Sequence, residues 1–138
     1  MRVMVLVKAN EESEAGVLPS ERLFTEMMAF NEDLVKAGVM LAGEGLHASS
    51  KGKRIQWTKG RTTVKDGPFA ETKELVAGFW IWKVGSMDEA VEWARKIPNP
   101  DDRDGEIEIR PLFEAQDAEL PAEVREKEQR LRAQLDRK

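Results

Sequence analysis

Asp66-Gly67-Pro68-Phe69-Ala70-Glu71-Thr72-Lys73-Glu74 is the stretch from which the fold is read. Gly67 can take backbone angles closed to other residues, Pro68 fixes its own φ, and the proline biases Gly67 away from helix. The stretch is too rigid at its start for a free linker and too polar for a core element. It is therefore a pinned turn from which Asp66, Glu71, Lys73 and Glu74 project. The reading predicts an ordered turn with at least one of Asp66, Glu71 and Glu74 at a concave surface.

Regular elements extend outward from this turn. Before it stand two short β-type runs, Arg54–Thr58 and Arg61–Val64, around Lys59-Gly60, which is hairpin spacing. After it, Val76–Val84 reads as a strand, and Ser86-Met87-Asp88-Glu89 as a capping box opening a helix that stops before Pro98. Glu106–Leu112 alternates acid with isoleucine, as a half-buried last strand does. Toward the N-terminus, residues 2–8 form an apolar central strand and residues 10–16 a polar loop. Ser20 caps a helix carrying Leu23, Met27, Phe30 and Leu34 at helical spacing and ending at Gly38, and Val39–Leu46 is a second strand. The order β-α-β, hairpin, β-α-β is a ferredoxin-like α+β plan with an antiparallel sheet. Residues 1–115 form that domain, and residues 116–138 a charged extension that is helical from Pro121 to Lys138. Its acid-first pairs, such as Glu126 with Arg130, favour helix. The extension either lies solvated against its own domain or reaches a partner subunit.

The turn, together with Gly43-Glu44-Gly45-Leu46, Leu75-Val76-Ala77-Gly78-Phe79, Met87–Ala94, Ile97-Pro98 and Glu106–Pro111, closely resembles the DGPF-type members of the YCII-related family over roughly residues 1–115. The resemblance implies a ferredoxin-like fold of the dimeric α/β-barrel type and a homodimer, and implies little about activity. Relatives outside the DGPF branch carry a paired His and Asp. That histidine would fall near Met27, where this chain has none, so the dyad does not carry over.

Composition excludes several functions. The chain of 138 residues is one domain by size, with 41% hydrophobic and 35% charged residues. No apolar stretch approaches the roughly 20 residues that span a bilayer, which argues against a membrane role. A net charge of −4 gives no electrostatic footprint for direct nucleic-acid binding. With no cysteine, thiol chemistry and disulfides are out, consistent with a cytoplasmic protein. Gly43-Glu44-Gly45 lacks the third glycine of a dinucleotide fingerprint, and no organic cofactor is expected. The spacing of Asp66, Glu71, Glu74 and His47 matches no metal motif, so no metal is assigned.

The candidate catalytic residues are Asp66, Glu71 and His47, the only histidine and the natural proton shuttle. Against this, an Asp-Gly-Pro aspartate is often a turn latch, and a lone histidine is often a surface residue. Candidate ligand-binding residues are Glu44, Gly67, Pro68, Phe69, Lys73, Glu74, Trp80 and Trp82. Phe79 and Ile81 fall on one strand face, Trp80 and Trp82 on the other. The tryptophan pair is assigned to the sheet face that the helices leave open, buried in a homodimer or lining a pocket beside it. Two functions compete. One is a small-molecule-binding dimer, extending to a cofactor-independent lyase or isomerase that works by acid/base chemistry. The other, implied by the resemblance, is a regulatory module contacting a sigma-70-like factor.

Overall fold

The computed structural model describes residues 1–136. Among the described residues, six strands and four α-helices follow one another: β1 (Arg2–Lys8), α1 (Glu11–Glu14), α2 (Glu21–Lys36), β2 (Met40–Gly45), β3 (Lys53–Thr58), β4 (Arg61–Asp66), β5 (Val76–Lys83), α3 (Met87–Ala94), β6 (Ile107–Pro111) and α4 (Ala122–Asp136). The main sheet has the order β2-β5-β1-β6, antiparallel throughout. That is the ferredoxin-like α+β order, with β3–β4 inserted as a separate hairpin. The tail helix was expected to run to Lys138; residues 137 and 138 lie outside the described residues.

Local chemistry sets the element ends. The Ser20 hydroxyl accepts from the Leu23 N–H at 3.1 Å to start α2, and Gly38, at φ +72°, ends it. Ser86 caps α3 by accepting from Glu89 N–H at 3.1 Å, and the Glu89 carboxylate takes the Gly85 N–H. The tip Lys59-Gly60 has positive φ at both positions, the turn whose twist suits a two-residue hairpin. One element was not anticipated. Residues 11–14 form α1, because Asn10 and Ser13 exchange side-chain-to-backbone bonds of 2.8 and 2.9 Å in a capping box.

The core lies between one sheet face and helices α2 and α3. Val3, Val5, Trp80 and Trp82 meet Phe30, Leu34 and Ala90 there. This corrects the assignment of the tryptophans to the open face. Period-two alternation separates Trp80 and Trp82 from Phe79 and Ile81 but does not say which pair faces the helices. The larger rings go inside because α2 supplies matching aromatic surface: Phe30 meets Trp80, Trp82 and Trp93 edge-on at centroid distances of 5.8, 6.3 and 6.4 Å. Trp80 Nε1 donates to the Asn31 side chain at 2.9 Å. Opposite Trp80, Gly43 makes room, since a Cβ there would lie 2.8 Å from the ring. The open face therefore carries Met4, Leu6, Phe79 and Ile81, paired Met4 to Ile81 and Leu6 to Phe79.

The hairpin β3–β4 is exposed along both strands, and Ile55, Trp57 and Val64 are 55, 77 and 64% exposed. Helix α4 buries no residue. No helix among the described residues is long and apolar enough to cross a membrane.

Trp82 is fully buried, so Trp82→Ala should cost about 3–5 kcal/mol of unfolding free energy in a denaturant titration. A second expectation concerns acid. Arg2 grips the Glu114 carboxylate through two bonds of 2.9 Å, which holds that carboxyl below its ordinary value. A lowered folded pKa contributes stability above the unfolded value and loses it as the pH falls through the folded one. The advantage of wild type over Glu114→Gln should therefore be present near neutral pH and fade as pH drops below 4.5. For a part-exposed pair it should be at most about 1 kcal/mol in pH-dependent melts.

Candidate functional site

The pinned turn closes against the segment that leaves β2. Leu46 N–H donates to the Ala77 carbonyl at 2.8 Å, and the chain then makes a 3-10 turn at Ser49–Lys51 before entering β3. Ser49 is the meeting point. Its N–H donates to Glu14 of α1 at 2.9 Å, its hydroxyl donates to the same carboxylate, and that hydroxyl also accepts the Phe69 N–H at 3.1 Å. Gly67 N–H donates to the Gly52 carbonyl at 3.0 Å. Here the glycine is compulsory: a Cβ on Gly67 would stand 1.8 Å from the Ser49 carbonyl oxygen. The Gly67-Pro68 peptide is cis. Phe69, bonded to Ser49 through its N–H, lies under Arg54, whose guanidinium carbon sits 3.9 Å from the ring centroid.

Ser49, Gly52, Arg54 and Phe69 border an open cavity of about 460 Å³. Leu46, Leu75, Val76 and Phe69 make its apolar wall, and His47, Ser49, Lys51, Lys53, Arg54 and Glu14 its polar one. A second groove, of about 390 Å³, runs between α4 and the segment after β6. Most of its charges already pair with one another, Arg2 with Glu114 and Arg132 with Glu128, which leaves little for a ligand to engage.

The residues named from the sequence are dispersed. Asp66 bonds Lys53 across the hairpin at 2.5 Å, with its side chain 75% exposed. Glu71 precedes the 3-10 turn Thr72–Glu74 without a side-chain capping bond, and Glu71, Lys73 and Glu74 are exposed. None of Asp66, Glu71 and Glu74 lines either of these two cavities. Glu44 pairs in register with Phe79 on the open sheet face and is not among the residues lining this cavity. Trp80 and Trp82 lie in the core. His47 and Phe69 do line the cavity. Ser49, Lys51, Lys53 and Arg54 were missed, although a run of three bases within Lys51-Gly52-Lys53-Arg54 was visible. Among the described residues, no group of three or more His, Asp and Glu is close enough to hold a metal ion.

The model of the YCII-related domain matches residues 1–116, nearly the whole of the sheet-bearing chain. The chain belongs to the YCII-related family. A relative from Rhizobium meliloti (strain 1021), named as uncharacterized protein R00369, is 35% identical over 102 residues, covering 74% of this chain and 82% of its own length. Among solved structures, 5-chloro-2-hydroxyhydroquinone dehydrochlorinase from Burkholderia phenoliruptrix AC1100, in complex with 2,5-dihydroxybenzoquinone, has a TM-score of 0.41 at 14% identity. That alignment covers 84% of this chain and 97% of the other.

Gly67→Ala should test the latch. The added methyl meets backbone rather than a movable side chain, so unfolding free energy should fall by about 1–3 kcal/mol or more. Amide exchange at Phe69 should accelerate with it. Wild-type stability and exchange in that variant would refute the close approach.

Proposed function

We propose that this YCII-related protein is a homodimeric small-molecule-binding protein whose ligand occupies the cavity between the DGPF turn and His47. The observation that carries the reading is the Ser49 junction. Three chain segments distant in sequence are bonded together there, at the floor of a cavity with one apolar and one polar wall. Ligand cavities have this make-up, an apolar lining with a few fixed polar groups. A turn serving only to reverse the chain has no need to hold an aromatic ring under a guanidinium. Within this reading, proton transfer falls to His47, the one member of the expected catalytic trio in the cavity wall. Asp66 is engaged by Lys53.

The sheet supports the dimer. Helices α2 and α3 cover one face, while Met4, Leu6, Phe79 and Ile81 form an apolar stripe on the other. Packing two such faces together removes both stripes from water, which is the main favourable term in stable association.

Two measurements test the proposal. A small-molecule screen read by amide chemical shifts should return ligands that move Ser49, Arg54 and Phe69; hits confined to other surfaces would overturn the binding site. Light scattering at micromolar concentration should give the mass of two chains. Phe79→Asp should give one chain with its circular dichroism retained, because the half-buried position becomes fully buried, and the charge unpaired, on packing of the two faces. A wild-type mass of one chain would overturn the dimer.

A further inference from the structure

The charges around the cavity are not balanced, and their imbalance identifies a ligand class. Glu14, the carboxylate in the wall, is committed to Ser49, taking its N–H on one oxygen and its hydroxyl on the other. Lys53 is committed to Asp66. Arg54 and Lys51 have no carboxylate within ion-pairing distance among the described residues. Arg54 is also not a freely waving side chain, because its guanidinium is seated on the Phe69 ring, and the Phe69 backbone is held by the Ser49 bond. A cation placed in advance over an apolar cavity loses less freedom when it meets an anion, and the guanidinium fork matches a carboxylate through two bonds.

The backbone decides between kinds of anion. Phosphate sites are generally cradled by unspent N–H groups. Here the N–H groups of Ser49, Lys51, Gly52, Gly67 and Phe69 are donated within the chain, and among the described residues of the lining loop those of His47 and Ala48 are left without an acceptor. A phosphate would find side-chain charge and only those two adjacent N–H groups, fewer than the run of unspent donors that cradles one. An organic acid would find the charge, and for its body the apolar wall of Leu46, Leu75 and Val76.

We infer that the cavity takes a small organic carboxylate with an apolar or aromatic body, its carboxylate on Arg54 and Lys51 and its body against Leu46, Leu75 and Val76. This rests on the cavity being the ligand site and goes beyond it by naming the ligand's charge and shape.

The test is a titration of the full-length protein followed by amide chemical shifts, with benzoate, its uncharged isostere benzamide, and inorganic phosphate as probes. Benzoate should move Ser49–Arg54 and Phe69 and saturate with a Kd on the order of 1 mM, as suits so small a ligand. Benzamide and phosphate should each bind roughly 10-fold more weakly or worse, the loss expected when about one charged contact or the apolar contact is removed. Arg54→Gln sits at an exposed position and should keep the fold while weakening benzoate roughly 5- to 30-fold. Lys51→Gln is the second variant and should weaken it less. Benzamide binding as tightly as benzoate at these residues would overturn the anion class and leave the cavity as a ligand site. Phosphate equalling benzoate would overturn the apolar body, and unchanged benzoate affinity in Arg54→Gln would overturn the role of the guanidinium. If none of the probes moved these residues, the inference would fall; the ligand site itself would fall only if the broader screen also missed them.

Discussion

Phe30 on α2 reaches the sheet between Trp80 and Trp82, with Trp93 of α3 closing the group from the side at 6.4 Å. This aromatic contact joins both long helices of the domain to its central strand pair. Val3 and Val5 lie beneath it, fully buried, and the register of β1 on β5 places Val5 beside Trp80 and Val3 beside Trp82. A one-residue slip of β5 would exchange the tryptophans for Phe79 and Ile81 and leave Phe30 facing smaller groups. The choice of sheet face, the position of α2 and the identity of the open face all depend on this contact. Its one visible defect is Trp82 Nε1, buried without a partner, a cost on the order of 1–3 kcal/mol that the burial of the ring offsets.

A second constraint acts at the other end of β5, where the chain folds back on itself at Gly67. The cavity depends on that close approach. If Gly67 stood away from Ser49, Phe69 would lose the hydroxyl that holds its N–H, and Arg54 would lose the ring it rests on. The signature turn thus has a mechanical task. It transfers the fixed geometry of the sheet, through Leu46 on Ala77 and Leu75 on Ala9, to side chains that would otherwise move freely on an exposed hairpin.

The charge distribution follows the same division. The chain is acidic overall, yet residues 51–66 hold six Lys or Arg against one Asp. A net charge of −4 therefore hides a local excess of positive charge beside the cavity. An argument from the total describes what the whole surface repels or attracts at a distance. It is blind to what a particular cleft will hold.

Local rules were enough to read the elements: caps at Ser20 and Ser86, the glycine ending α2, the Lys59-Gly60 tip and the order of strands and helices all depend on neighbours in sequence. The family was legible for the same reason, since its signature is contiguous. Alternation also separated Phe79 and Ile81 from Trp80 and Trp82. Which pair lies inside was decided only by tertiary packing, because a period-two pattern looks the same from both faces until a helix supplies the complementary surface. The site was legible in part. His47 and Phe69, named from the sequence, line the cavity, while Asp66, Glu71 and Glu74 are exposed and Asp66 pairs with Lys53. Ser49 and Arg54 matter through Phe69, many residues away along the chain. The sequence determined that the turn had to be rigid. Only the tertiary structure decided what that rigidity holds in place, because the atoms it constrains belong to segments that meet through folding.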